Sequence, residues 1–198
     1  MDRETAWQIL TEHVKERGLQ RHMQAVEAAM RWYAECLGYD PDLWGLAGLL
    51  HDFDWEIHPT LEQHPRDGAP ILRSRGCPEE VIHAIQAHFP EGSGVHPAAP
   101  MDYALRACDE ITGLIIAACL VRPSKDVSQL AVKSIQRNWK DKLFAAAIDR
   151  DEVRRVTEEF SARCFDGKLE LWQHVGNVLT AVQKVAGELD LDGRLAAR

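Results

Sequence analysis

Apolar residues recur at three- and four-residue intervals along almost the whole chain, and no stretch shows the strict alternation of a half-buried strand. The fold class predicted is all-α. RETAWQILTEHVKERG sets Trp7, Leu10 and Val14 on one face and is expected to run to Gly18 as a C-cap. LQRHMQAVEAAMRWYAECLG repeats Leu19, Met23, Val26, Met30, Tyr33 and Leu37 and stops at Gly38. YDPDLWGLAGLLHDF opens on Asp40 as N-cap with Pro41 at the first helical position, and ends near His51 and Asp52. HPRDGAPILRSRG predicts a short helix closed by Gly76, and CPEEVIHAIQAHF another from Pro78 to just before Pro90. The glycine- and proline-rich PEGSGVHPAAP suits a rim or a lid.

MDYALRACDEITGLIIAACLV is the most apolar segment and is expected at the centre. PSKDVSQLAVKSIQRNWKDKLFAAA is basic through Lys125, Lys133, Arg137, Lys140 and Lys142. RDEVRRVTEEFSARCF and KLELWQHVGNVLTAVQKVAGEL read as amphipathic helices, and DLDGRLAAR is expected to fray. With no repeat, low-complexity tract or linker, a single domain over residues 1–198 is the economical division.

Helical phase also shows which polar residues face inward. His22 lies three residues after Leu19 and four before Val26; Asp109 lies four after Leu105 and seven before Ile116. His88 follows Val81 and Ile85 at seven and three, and His51 continues the stripe of Trp44 and Ala47. A lone buried histidine is ordinarily a satisfied core residue. Four inward polar residues from four helices, among them an adjacent His-Asp pair in GLLHDFDWEIHPTLEQHP, call for an ion pair, a hydrogen-bond network or a metal.

The formal net charge of −8 argues against a nucleic-acid polymer as partner, because phosphate backbones demand clustered positive charge. A small anionic substrate needs only local positive charge and is compatible with it. The five cysteines (Cys36, Cys77, Cys108, Cys119, Cys164) form no C-x-x-C pair and read as reduced thiols in a cytoplasmic protein. The start MDRETAWQIL lacks a signal pattern, and the eight-residue LIIAACLV is too short to cross a bilayer, so no membrane partner is expected. A homodimer is left open.

The order His22, then His51-Asp52, then Asp109, each on a helix, resembles the H…HD…D signature of HD-domain metal-dependent phosphohydrolases. LAGLLHDFDWE resembles the family's second motif, and LRACDEITGLI its terminal Asp helix. HPRDGAPIL and AIQAHFP are similar to the additional histidine motifs of the branch with six ligands and two metals. The resemblance covers residues 20 to about 125. It implies a compact helical HD-type domain, with the helices of about 126–190 as additions.

The resemblance further implies that His22, His51, Asp52 and Asp109 hold one metal and that His64 and His88 hold a second, with Asp52 bridging. One or two divalent ions (Fe, Mn, Co, Zn or Mg) would be the cofactors, and Asp109 would also orient the attacking water. The implied activity is cleavage of a phosphoester of a small molecule, such as a nucleotide, by metal-activated water. Relatives with the same six-ligand pattern that are mixed-valent di-iron oxygenases supply the alternative.

Beyond the ligands, Asp54 and Glu56 are candidates for general acid or outer-shell work, against the alternative of a solvated helix end. Arg122 and Lys125, just past the Asp109 helix, are candidates to grip substrate phosphate. Lys133, Arg137, Lys140 and Lys142 read as a solvated face. His83 is expected at the surface and His58 in a loop, while no role is assigned to His13, His96 or His174.

Overall fold

Two long helices, α2 (Arg17–Leu37) and α7 (Pro100–Leu120), form the framework of the computed structural model, which describes residues 1–197. Around them lie α1 (Arg3–His13), α3 (Pro41–Leu50), α4 (Ala69–Ser74), α5 (Glu79–Ala87), α6 (Pro90–Ser93), α8 (Val132–Lys140), α9 (Arg150–Cys164) and α10 (Leu171–Lys184). Among the described residues there is no β-strand, so the fold is all-α as the periodicity predicts. α7 is packed by α2, α5, α9 and α10, and one apolar cluster runs from Ala6 to Leu191.

α3 begins as the sequence predicts, with Asp40 accepting from the backbone N–H of Asp42 and Leu43, and Pro41 next to it. α2 ends at Gly38 in the left-handed conformation, φ +77°, which a residue without a Cβ adopts without strain. α2 and α3 pack closely because Gly48 has no side chain: a Cβ there would stand 2.7 Å from the backbone N of Glu27. That approach brings His22 of α2 to His51 at the end of α3.

Two expectations change, at the first helix and at the C-terminus, while the basic run keeps the solvated face expected of it. The first helix stops at His13 rather than Gly18: Val14 is extended, and Glu16 restarts the chain as the N-cap of α2, its carboxylate accepting from the N–H of Leu19. The basic run condenses to α8, in which Ile135 and Trp139 are buried while Lys133, Arg137 and Lys140 are exposed, as Lys142 is beyond it. The C-terminal segment does not fray within the described residues. Leu189 and Leu191 are fully buried, Leu191 accepts from the N–H of Val127, and residues 194–197 form a 3₁₀ turn. No helix among the described residues is long and apolar enough to cross a membrane.

Candidate metal centre

Four helix segments deliver the inward-facing polar residues to one place. His22 comes from the second turn of α2, His51 and Asp52 from the end of α3, His88 from the end of α5 and Asp109 from the middle of α7; His64 joins them from the loop before α4. Nε2 of His22 lies 3.2 Å from Nε2 of His51 and 2.9 Å from Oδ1 of Asp109, and His51 Nε2 lies 3.5 Å from the same oxygen. Oδ2 of Asp52 faces this group at 3.4 Å from His51 and 4.0 Å from His22. Oδ1 of Asp52 faces a second group, 3.2 Å from His64 Nε2 and 3.6 Å from His88 Nε2. The two carboxylate oxygens of Asp52 therefore address two different sets of nitrogens.

The protonation of the rings tests whether this arrangement suits a metal. Nδ1–H of His51 donates to the carbonyl of Gly48 at 2.8 Å, and that of His88 donates to the carbonyl of Ile85. Nδ1–H of His64 donates to Oδ1 of Asp54 at 2.7 Å. Each ring, when neutral, thus offers Nε2 as a bare lone pair. His64 and His88 point these lone pairs at each other across 3.2 Å, which is repulsive unless a cation sits beside them. Ligands about 2.0–2.2 Å from a common ion stand roughly 3 to 3.5 Å from one another, so the spacing and the donor set both fit a divalent metal.

The electrostatics agree. Burial opposes a charge on His51, but Asp52 and Asp109 beside it outweigh that and raise its pKa well above the ordinary range. Burial likewise opposes charge on His64, and the hydrogen bonds and charges of Asp52 and Asp54 carry it up to about 9. Against the cost of burial, His51 and its neighbouring imidazoles hold Asp52 well below the usual carboxylate range, and His51 and His22 do the same to Asp109. The cluster attracts positive charge. Protons supply it when no metal does.

The groups assigned to catalysis and substrate separate in space. Asp54 is fully buried behind His64 and reaches only that ring, with Gly68 pressed against its other oxygen, so it orients the His64 imidazole and does not border the cavity. Glu56 turns the other way: its carboxylate accepts from the backbone N–H of Lys15 (3.0 Å) and Glu16 (2.8 Å), clasping the break between α1 and α2. Arg122 and Lys125 do not border the cavity at the cluster. Eleven residues of α7 separate Asp109 from Leu120, which at about 1.5 Å per residue is roughly 16 Å, and Lys125 Nζ donates to the carbonyl of Leu195. The expectations for Glu56, Arg122 and Lys125 are therefore corrected, while Asp54 keeps the outer-shell position that the sequence also offered.

The cavity itself, about 480 Å³, opens over Asp52, His64, His88 and Asp109. Its other walls come from residues that sequence reading did not select: Trp55, Leu61 and Phe89 on one side, and Arg106, Glu110, Asp149 and Glu152 on the other. Arg106 and Glu110 were accessible to the same reasoning that found Asp109, since they lie one helical turn before it and directly after it. Burial, with Asp109 adding to it, pushes Glu110 up to about 7. Asp149 and Glu152 arrive from α9 by long-range packing, which no local pattern announces. His58 lies in the loop before α4 and His83 is partly exposed beside Asp102, as expected. His174, to which no role was given, is fully buried between Tyr33 and the carbonyl of Ala107.

Comparison with known proteins matches residues 19–119 to the HD domain model. A stretch of 78 residues is 36% identical to ribonuclease Y of Cutibacterium acnes, covering 38% of this chain and 14% of that protein. Another of 72 residues is 39% identical to ribonuclease Y of Rhodopirellula baltica, covering 36% and 14% respectively. The matched part is thus 14% of the length of either relative. No solved structure matches the chain.

Proposed function

The chain belongs to the HD domain family, and from that premise we propose that it is a metal-dependent phosphohydrolase that cleaves a phosphoester of a small molecule. The observation that carries this reading is the convergence of Nε2 of His64 and Nε2 of His88, 3.2 Å apart, on a carboxylate, Asp52, whose two oxygens face two donor groups. His22, His51, Asp52 and Asp109 would hold one ion; His64, His88 and Asp52 would hold a second. Bound there, a divalent metal supplies Lewis acidity, making water acidic enough to attack near neutral pH and drawing charge from phosphoryl oxygens.

The residues around it do the rest. Gly48, Ile85 and Asp54 fix the three rings through Nδ1, so that the lone pairs converge without rotamer search. Asp109, beside both His22 and His51, is placed to orient the attacking water. Trp55 covers one edge of His64 and narrows the access of bulk water to it. The names of the two relatives point to RNA, but the net charge of −8 and a cavity of about 480 Å³ favour a small molecule.

Elemental analysis combined with a phosphoester panel tests the reading. Wild-type protein loaded with manganese in anaerobic buffer is expected to carry two ions per chain and release phosphate; His51→Ala is expected to carry one or none and to release none. Oxygen consumption by an iron-loaded sample without phosphate release would favour the di-iron oxygenase chemistry instead. A His51→Ala protein with unchanged metal content would overturn the site.

A further inference from the structure

Beyond the candidate ligands the cavity has two contrasting walls. One is apolar, formed by Trp55, Leu61 and Phe89, and part of it is open to solvent: Trp55 is 37% and Leu61 54% exposed. The rest of the lining carries the carboxylates of Asp149, of Glu152 and, at the rim, of Glu91. The one arginine or lysine lining this cavity among the described residues is Arg106, and its guanidinium already donates to Glu159 at 3.0 Å and to Glu152 at 3.4 Å. Past Arg106 lies a smaller adjoining cavity, where Arg155 is likewise held by Glu152 and Glu159.

A phosphoryl group at the candidate metal centre would lie beside Asp52 and Asp109, where bound divalent ions would supply the positive charge it needs. A second anionic group on the same substrate would have to lie against carboxylates with no unpaired cation to receive it. Like charges brought together in a partly desolvated cleft repel strongly enough to decide selectivity. We infer that the substrate carries a single phosphoryl group on an organic part that bears no negative charge and lies on Trp55, Leu61 and Phe89. Di- and triphosphates and phosphodiester polymers are excluded by charge. The inference rests on the phosphohydrolase reading and narrows it, since a nucleotide with more than one phosphate falls outside it.

A matched series separates the two. With the manganese-loaded full chain, phenyl phosphate is compared with 4-carboxyphenyl phosphate and 1,4-phenylene bisphosphate, which add negative charge at the far end of one ring. We expect kcat/KM to fall about tenfold with the carboxylate and further with the second phosphate. Glu91→Lys, at an exposed position on the rim, is expected to narrow the ratio between phenyl phosphate and the bisphosphate at least fivefold. Equal kcat/KM across the series, or an unchanged ratio in Glu91→Lys, would overturn the inference.

Calorimetric binding of phenylphosphonate and 1,4-phenylenebisphosphonate gives a readout independent of turnover. A tenfold weaker bisphosphonate supports the inference even if no ester is cleaved, in which case the hydrolase reading alone fails. Equal affinities reject the inference whether or not the esters are cleaved.

Discussion

His174 and His64 are both deeply buried histidines, yet their surroundings drive them in opposite directions. His174 has both ring nitrogens satisfied: Nε2–H donates to the carbonyl of Ala107 at 2.8 Å, and Nδ1 accepts from the hydroxyl of Tyr33 at 2.5 Å. No carboxylate is among its hydrogen-bond partners, and burial pushes its pKa down to about 4. His64 has a carboxylate on either side, a pKa raised to about 9 against burial, and one nitrogen aimed at another bare nitrogen. Burial alone therefore does not mark a ligand. What marks a candidate ligand is a ring committed at Nδ1 whose Nε2 converges with other donor atoms and is flanked by negative charge.

The contrast is broken most severely at Asp52. Asp52→Ala removes the carboxylate common to both donor groups, and both ions and phosphate release are expected to be lost, the latter on the order of 10³-fold or more; two ions remaining by elemental analysis would contradict the shared role. The next largest effect belongs to His174. Because its folded-state pKa lies below the ordinary 6.5, the protein is fully stable with respect to this group above about pH 6.5 and loses stability as the pH falls toward 4.

The loss amounts to about 3 kcal/mol. Urea titrations at several pH values should show that His174→Gln removes a drop of this size between pH 6.5 and 4, with metal content unchanged. An identical pH profile in the variant would mean that the ring is not held neutral.

Asp54→Asn sharpens the comparison at smaller scale. Nδ1 of His64 keeps a hydrogen-bond acceptor but loses the charge, and binding of the second ion is expected to weaken roughly 10–100-fold. Competition with a chromophoric chelator measures this, and an unchanged affinity would count against the positioning role. The smallest effect is at Glu56. Glu56→Gln weakens the clasp on Lys15 and Glu16 by about 1 kcal/mol while leaving phosphate release within about twofold. A large loss of turnover at unchanged stability would restore Glu56 to the chemistry.

Residues whose position follows from helical phase were legible in the sequence: His22, His51, His88 and Asp109 all lie on apolar faces, and the fold places all four together. The all-α class and the start of α3 were legible for the same local reasons. Distance along a helix axis was the weak point. Arg122 and Lys125 seemed near Asp109 in sequence, whereas Arg106, one turn before it, is the arginine that lines the cavity.

Features held by distant partners left no local signal. The break after His13 depends on Glu56, some forty residues further on. The polar C-terminal segment is anchored by two leucines that reach the core only through long-range packing.

The candidate metal donors all lie within residues 19–119, whereas Asp149, Glu152 and Val156, which line the same cavity, lie outside that stretch. Part of the cavity wall is thus contributed by chain outside the family match, while Trp55, Leu61, Phe89, Glu91, Arg106 and Glu110 lie within it. Substitutions around residues 149–156 can therefore reshape that side of the cavity without touching any candidate metal donor, so the shape of the pocket and the donor cluster can be altered independently there.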